Sequence, residues 1–242
     1  MIRYARIKDC EELLQLCITS FAIKEKPYLE YYFKHLFEDG SALISELDNK
    51  LISQIHMQSH VLKLKGKRLE VSYLSGIATH YDYRKRGIMR DLMEMVIEDC
   101  ANNHLLTFME ASNPRLFERY GFEVVSQRKR YTIYAKELIK YSNQGVSEEV
   151  DAKELVDMYR RFAKRFDCYY DRDEEYYRHL IAFANYKGSH ICVFKDHDGN
   201  AKGYAFYDEL DDGIEVKEII YEDTKTLCRL LKYAIGYNPF IG

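Results

Sequence analysis

The sequence has no tryptophan, only 3 prolines and 12 glycines in 242 residues, and no excess of one charge. So few prolines and glycines exclude a collagen-like chain or an array of flexible linkers. With 36 Lys and Arg against 39 Asp and Glu, the formal net charge is −3. Nucleic-acid-binding proteins usually show a basic excess. Because 47% of the residues are hydrophobic and 31% are charged, we expect a compact globular protein with a full core.

Long apolar runs are also missing. Nowhere do 18 apolar residues follow one another, and charges at Arg3, Arg6 and Lys8 interrupt the N-terminus. We therefore expect neither a signal peptide nor a membrane span. The six cysteines lack the spacing of a zinc site, and several fall on apolar faces of predicted elements. We interpret them as reduced core thiols of a cytoplasmic protein without a metal.

The apolar periodicity of the first half predicts an α/β domain. A short strand and two helices come first, and the first helix begins at Asp9 with a capping box to Glu12. Three or four antiparallel strands then cover residues 41–79, and a long helix runs over about 87–102. A strand, a short helix and one or two final strands are predicted at 105–110, 114–120 and 122–134.

A polar stretch at residues 141–149 is the predicted boundary between two domains, residues 1–142 and 143–242. The second domain repeats the opening of the first, since residues 175–177 read Glu-Tyr-Tyr as residues 30–32 do. We expect a second lobe that is similar to the first but lacks its closing β-α-β elements.

The most informative segment is the turn between the strand that ends at Thr79 and the long helix. The first amides of a helix have no partner within it, the helix dipole is positive there, and a glycine permits close backbone approach. The four cations of this turn, Arg84, Lys85, Arg86 and Arg90, lie at a helix N-terminus, where positive charge opposes the helix dipole. A structural role therefore explains these four residues poorly. We interpret this turn as a phosphate or pyrophosphate site. It reads Arg84-Lys85-Arg86-Gly87-Ile88-Met89-Arg90.

This turn resembles that of the GNAT superfamily of N-acetyltransferases, whose signature is Arg/Gln-x-x-Gly-x-Gly/Ala. Arg84 and Gly87 keep the first two anchors, and Met89 replaces the third. Within the superfamily, the turn is more similar to that of the enhanced-intracellular-survival (Eis) acetyltransferases, in which the last position is not small. Residues 114–122, which end in Tyr-Gly-Phe, are similar to the superfamily's late helix.

The resemblance implies the GNAT fold, a mostly antiparallel sheet with a splayed parallel pair and helices on both faces, followed here by a partial second lobe. It also implies that acetyl-CoA is the donor, that a primary amine attacks its thioester directly, and that no metal takes part. Strand backbone would pair with pantetheine, and amides of the turn would hold the pyrophosphate. The implied coenzyme-binding residues are Ile77, Ala78, Thr79, Arg84, Lys85, Arg86, Gly87, Ile88, Met89 and Arg90.

The implied catalytic groups are an acid and a base. The family's usual acid, a tyrosine, falls on Phe117, which has no proton to donate. Tyr120, three residues along the same predicted helix, is the candidate acid, and helix packing explains it equally well. Glu110 at the end of a predicted strand is the candidate base, with His56 and His80 as alternatives acting through water.

The second lobe has Glu222-Asp223 where the first has its basic turn, so we expect it to bind no coenzyme and to wall the acceptor groove. Acidic stretches at 171–175 and 208–212 favour a cationic acceptor, either a small molecule or a lysine-like amine, although solvated charged faces explain them too. Eis enzymes continue into a sterol-carrier-like domain and use their terminal carboxylate. We expect that domain to be missing and carry no role over to Gly242.

Two other functions remain open at this point. A protein that binds acyl-CoA without turnover fits the phenylalanine at the usual acid position. A nucleic-acid binder using residues 84–90 together with 128–130 is a minor alternative, because the net charge is −3 and no recognised motif is present. The sequence predicts no oligomeric state.

Overall fold

The computed structural model describes residues 1–236, and residues 237–242, which include Gly242, lie outside that description. The chain divides into two compact units, Met1–Arg128 and Lys129–Gly242. The boundary expected at residues 142 and 143 lies downstream of this division and stays a prediction. Within residues 1–236, no helix is long and apolar enough to cross a membrane.

The first unit is a mixed sheet with helices on both faces. Its strands lie side by side in chain order and are antiparallel except for the last pair, which is parallel. This arrangement confirms the predicted fold class. The strands are β1 (Ile2–Tyr4), β2 (Ala42–Leu47), β3 (Lys50–Leu64), β4 (Lys67–Thr79) and β5 (Thr107–Met109), and the α-helices are α1 (Cys10–Ser20), α2 (Lys26–His35) and α3 (Ile88–Asn103).

Alternation along the strands separates two cores. Leu43 and Ile44 follow one another in β2 and therefore point to opposite faces of the sheet. Ile44 belongs to the core under α1 and α2, which also holds Leu13 and Phe33. Leu43 belongs to the core under α3, together with Val96.

Several local predictions need correction. Three strands lie between residues 41 and 79, the lower of the two numbers expected, because β3 and β4 are long and meet in a tight turn. Lys65 and Gly66 both have positive φ there, 48° and 80°, as a two-residue hairpin turn requires. Asp9 does not cap α1; its carboxylate instead accepts from Arg3 Nη1 at 2.7 Å and from the Arg6 amide at 2.8 Å.

The segment after β5 also differs from its prediction. Residues 114–120 form two short 3₁₀ turns instead of a continuous helix, and residues 122–134 form neither helix nor strand. The alternating apolar pattern of residues 122–134 predicted strands, yet Val125 and Tyr131 are 93% and 77% exposed. Alternation is insufficient because a strand needs a neighbouring backbone to pair with.

The second unit repeats the order of elements found in the first. Four of its strands form an antiparallel sheet whose order runs from the last strand of the chain through the two before it to the first; the first two helices pack in one core and the last helix in the other. This order agrees with the predicted repeat except for an additional short strand between the first two helices, and the second lobe as such stays a prediction. The elements are β6 (Val146–Ser147), α4 (Ala152–Ala163), β7 (Cys168–Tyr170), α5 (Glu174–Lys187), β8 (His190–Lys195), β9 (Ala201–Leu210), β10 (Gly213–Tyr221) and α6 (Thr224–Ala234).

Candidate functional site

The start of α3 has backbone N–H groups that no side chain caps. Its N-cap residue, Gly87, has a φ of 83° and makes no side-chain cap hydrogen bond. The Asp91 amide donates to the Gly87 carbonyl at 3.0 Å. The amides of residues 88–90 consequently have no acceptor within the helix. With the positive end of the helix dipole, they form a site suited to an anion.

Two of the four predicted cations are engaged by neighbouring residues. Arg84 Nε donates to the Thr79 carbonyl at 2.9 Å and so joins the turn to the end of β4. Arg90 Nη2 lies 2.9 Å from an oxygen of the Asp91 carboxylate. These two arginines shape the turn and the first turn of α3.

The other two cations, Lys85 and Arg86, are exposed. Within residues 1–236 neither forms an ion pair with a carboxylate, and the Arg86 guanidinium lies 5.3 Å from the centroid of the Tyr83 ring. Lys85 has a φ of 62°, a strained conformation for a residue with a side chain, and such strain is concentrated at functional sites. Their charges are therefore available to an anionic ligand.

Strands β4 and β5 separate before β4 ends. The parallel ladder covers only residues 72–74 of β4 and 107–109 of β5. Residues 75–79 of β4 pair with β3 on one side, and among the described residues no strand pairs with their other side. Their backbone N–H and C=O groups on that side are open to an extended ligand, as predicted for Ile77, Ala78 and Thr79.

Gly76 lies in a β-bulge where the two strands separate. The ladder to β3 changes register between Gln54 and His56, opposite Gly76, which has a φ of 57°. Because the bulge adds one residue, Leu74 and Ile77 both pack in the core under α3 although they are three positions apart. The bulge thus turns the free edge of β4 relative to the rest of the strand.

His56 fills the space beneath this bulge. Its Nδ1 lies 3.0 Å from the Tyr32 hydroxyl, its Nε2 has no hydrogen-bond partner among the described residues, and burial lowers its pKa to about 4. The rings of Phe33 and Phe37 lie 5.4 and 5.8 Å away between centroids. A neutral imidazole enclosed in this way supports the bulge and is poorly placed to take a proton from an acceptor.

His80 belongs to the turn itself. Its Nδ1 accepts from the Asp82 amide at 3.4 Å, and its ring stacks on Tyr81 with centroids 4.5 Å apart. These contacts give His80 a role in the shape of the turn.

Tyr120 lies beside a groove along α3. The groove has a volume of about 530 Å³ and is lined in part by Arg90, Ile97 and Arg119. Arg119 Nη2 donates to the Tyr120 hydroxyl oxygen at 2.7 Å, which leaves the hydroxyl hydrogen of Tyr120 free for another acceptor. Phe117 packs in the core under α3 on the same face of the sheet.

Glu110 directly follows β5 and is exposed. Arg128 Nη2 donates to both of its carboxylate oxygens, at 3.0 and 3.2 Å. The structure therefore unites the predicted coenzyme residues around one end of β4, with Tyr120 in the adjoining groove. The partner of Glu110 in the structure is Arg128, not Tyr120.

Sequence reasoning missed the roles of Gly76 and Arg119, and it considered Arg128 only as part of a nucleic-acid site. A glycine within a strand often marks a bulge, so Gly76 carried a usable signal. Tyr120 is the sequence neighbour of Arg119, but nothing in the sequence shows that the two side chains meet, and Glu110 is brought to Arg128 by the fold.

The second unit has the same bulge but a different helix start. The ladder between β9 and β10 changes register between Val216 and Glu218. Asp223 caps α6, since its carboxylate accepts from the Thr226 amide at 2.7 Å. A backbone amide in the first turn of α6 thus donates to a carboxylate of the chain itself, whereas no side chain accepts from the first amides of α3.

A family model described as an acetyltransferase (GNAT) domain matches residues 1–125. The match covers more than half of the chain, and the mixed sheet with its separating parallel pair agrees with it. The chain belongs to the GNAT acetyltransferase family. No curated protein sequence matches it significantly.

Solved structures of the same fold extend beyond this chain. A probable N-acyltransferase of unknown function from Enterococcus faecalis V583 matches with a TM-score of 0.77 at 18% identity, covering 97% of this chain and 61% of its own. A GCN5-related N-acetyltransferase from Kribbella flavida matches with a TM-score of 0.72 at 14% identity, covering 99% of this chain and 62% of its own. Eis1 from Mycobacterium abscessus matches with a TM-score of 0.68 at 16% identity, covering 98% of this chain and 63% of its own. The chain spans about three fifths of these structures, and at such identities they show the fold alone.

Proposed function

We propose that the first unit transfers an acetyl group from acetyl-CoA to a primary amine. The observation that carries this proposal is the position of the uncapped start of α3 beside the open edge of β4, both within residues 75–90. A pyrophosphate needs N–H donors and positive charge, and the two amides of pantetheine need a strand-like edge. These two requirements meet at one place in the first unit.

The coenzyme would be held mainly by backbone. The amides of residues 86–90 would donate to the pyrophosphate, and the side chains of Lys85 and Arg86 would add charge. The free edge formed by Ile77, Ala78 and Thr79 would pair with pantetheine. Backbone recognition explains why the bulky Met89 is tolerated at a position where the superfamily has a small residue.

The reaction needs two proton movements. The amine nitrogen forms a bond to the thioester carbonyl carbon, the carbon–sulfur bond breaks, the amine loses a proton and the sulfur gains one. Glu110 is the proposed proton acceptor. Tyr120 is the proposed donor to the sulfur, because the hydrogen bond from Arg119 occupies its oxygen and leaves its own hydrogen available.

The second unit is proposed to be a degenerate lobe without coenzyme, within the predicted domain 143–242. The Asp223 carboxylate already accepts from an amide at the start of α6, and its charge would repel a pyrophosphate. An Eis-like enzyme acting on a small-molecule or lysine-like amine is the finer form of the proposal.

Binding of acyl-CoA without turnover is the second candidate. Phe117 favours it, since the usual donor position lacks a hydroxyl. The nucleic-acid alternative loses support because Arg128 and Arg130 pair with Glu110 and Glu215 at 3.0 and 3.2 Å. Each of these carboxylates offsets a charge that a phosphate backbone would need.

The test is a thermal shift with acetyl-CoA followed by thiol release with a panel of amines. Ligand at about 100 times its dissociation constant stabilises a protein by about 2.7 kcal/mol, which is easily measured. A shift with thiol release supports the transferase. A shift without release from any amine supports the binding protein, and no shift contradicts both.

A further inference from the structure

Three rings from neighbouring strands form an aromatic patch on the sheet of the first unit. The patch comprises His60 of β3, Tyr73 of β4 and Phe108 of β5, and all three side chains are half-buried. The ring centroid of Tyr73 lies 5.4 Å from that of His60 and 5.2 Å from that of Phe108, within the range of aromatic pairs.

The patch lies on the face opposite α3. Ser72 and Leu74 face α3, since Ser72 Oγ is 2.6 Å from His104 Nδ1 and Leu74 packs in the core under α3. Tyr73, between them, therefore points to the other face. Gln58 confirms this, because it lies opposite Tyr73 in the ladder and hydrogen-bonds to Tyr32 of α2.

The patch is also next to the opening between β4 and β5. Tyr73 pairs with Phe108 one position before the parallel ladder ends, and Glu110 follows immediately after β5. Tyr120, the proposed proton donor, packs against the core on the α3 face of the sheet. With the proposed donor on that face, an amine that attacks a thioester held in the opening has the face of the aromatic patch for its approach.

The electrostatics of the patch favour a single amine over a polycation. Burial, assisted by the charge of Glu110, raises the pKa of Tyr73 to about 12, and burial lowers the pKa of His60, so both rings are neutral near pH 7. Neutral rings attract an ammonium group through their faces. Glu110 is the neighbouring carboxylate, and Arg128 offsets its charge.

We propose that the acceptor is an arylalkylamine, a primary amine joined by a short chain to an aromatic ring. Its ring packs on Tyr73, Phe108 and His60, and its nitrogen lies towards Glu110, which takes the proton as the carbon–nitrogen bond forms and the carbon–sulfur bond breaks. This inference rests on the proposed acetyl transfer and names the class of its acceptor.

The experiment compares 2-phenylethylamine with 2-cyclohexylethylamine, which has a similar size but no aromatic ring, and with spermidine. Thiol release from acetyl-CoA gives kcat and KM for each amine, using the full chain. We expect a KM about five- to tenfold lower for 2-phenylethylamine than for 2-cyclohexylethylamine. Spermidine is expected to have the lowest kcat/KM.

Phe108→Leu removes a ring at similar volume. It should raise the KM for 2-phenylethylamine about fivefold and abolish its advantage, while kcat and the KM for acetyl-CoA stay unchanged. His60→Leu tests the same point if Phe108→Leu does not fold, and Phe166→Leu, at a ring that is 53% exposed in the second unit, is the matched control.

Equal KM values for the two ring amines, a preference that survives Phe108→Leu, or a preference for spermidine would overturn the inference. Each of these results includes thiol release, so acetyl transfer would stand. Binding of acetyl-CoA without release from any amine would overturn the inference and the transfer together.

Discussion

Gly76 and His56 fit against each other in the sheet of the first unit so closely that no side chain has room between them. A Cβ atom built on Gly76 would lie 2.6 Å from His56 Cδ2, and the φ of Gly76 is 57°. The bulge that opens the edge of β4 therefore depends on a glycine above and an imidazole below.

Gly76→Ala is expected to lower the free energy of unfolding by about 2 to 4 kcal/mol. Part of this arises from a left-handed backbone and part from the clash with His56. In the double variant Gly76→Ala/His56→Ala the clash is absent. Its loss of unfolding free energy should therefore be smaller than the sum of the losses in the two single variants. Urea unfolding of the four proteins measures the coupling.

Gly121→Ala is the matched control for this cycle. Gly121 has a φ of 87°, but nothing lies within 4 Å of a Cβ built there. The free energy of unfolding of this variant should fall only by the cost of the left-handed backbone, about 1 to 2 kcal/mol. If Gly76→Ala costs no more than Gly121→Ala, the steric relationship is unimportant.

Gly87→Asp should remove acetyl-CoA binding. It places a carboxylate at the start of α3, where the pyrophosphate is proposed to lie. Gly87→Ala introduces the same backbone strain without charge, and both variants should lose about 1 to 2 kcal/mol of stability. Calorimetric titration should show affinity at least tenfold weaker for the Asp variant than for the Ala variant. Equal affinities would contradict the site.

The stability of the protein should fall between about pH 6.5 and 4 because of His56. Burial lowers its pKa to about 4 in the folded state, below the value of about 6.5 for an unfolded chain, so protonation favours unfolding. The contribution is complete above pH 6.5 and decreases by about 3 kcal/mol as the pH approaches 4. His56→Leu should lack this part of the slope in urea unfolding from pH 7.5 to 4. Parallel curves for the two proteins would show that His56 is not the group responsible.

Tyr120→Phe should lower kcat while acetyl-CoA still binds. Loss of a positioned proton donor reduces rates by about 10² to 10⁴. Thiol release with a good amine measures kcat, and thermal shift measures coenzyme binding. Tyr131→Phe, at a side chain that is 77% exposed, serves as control. Activity within twofold of the parent would exclude Tyr120 as the donor.

Asp223→Ala should destabilise the second unit by about 1 kcal/mol through loss of the α6 cap, without affecting acetyl-CoA binding. The hydrogen bond from the Thr226 amide lowers the pKa of Asp223. The stabilisation by the charged cap is therefore complete at a pH above the ordinary carboxyl pKa and is lost as the pH falls through the lowered pKa of the folded protein. Thermal unfolding checks the first effect. Asp211→Ala, in an exposed turn, should change neither quantity, and an equal loss in both variants would argue against the cap.

Local signals account for the parts that were predicted correctly. The periodicity of α3 and the glycine before it are both encoded within a few residues. The environment of His56 depends on α2, which lies far along the chain, and no local pattern indicates that its Nε2 is buried. Residues 122–134 show the opposite case, since their alternation is local but a strand requires a distant partner.

The start of α3 and the start of α6 show two different ways in which a helix N-terminus can be completed. At Asp223 the chain satisfies its own helix, and the second unit gains permanent stability from one side chain. At Gly87 the same helix terminus is left incomplete, so its completion is conditional on what the protein encounters. Selection for stability alone favours a residue such as Asp223 at a helix start, whereas an uncapped start such as that at Gly87 persists only where something other than stability is selected.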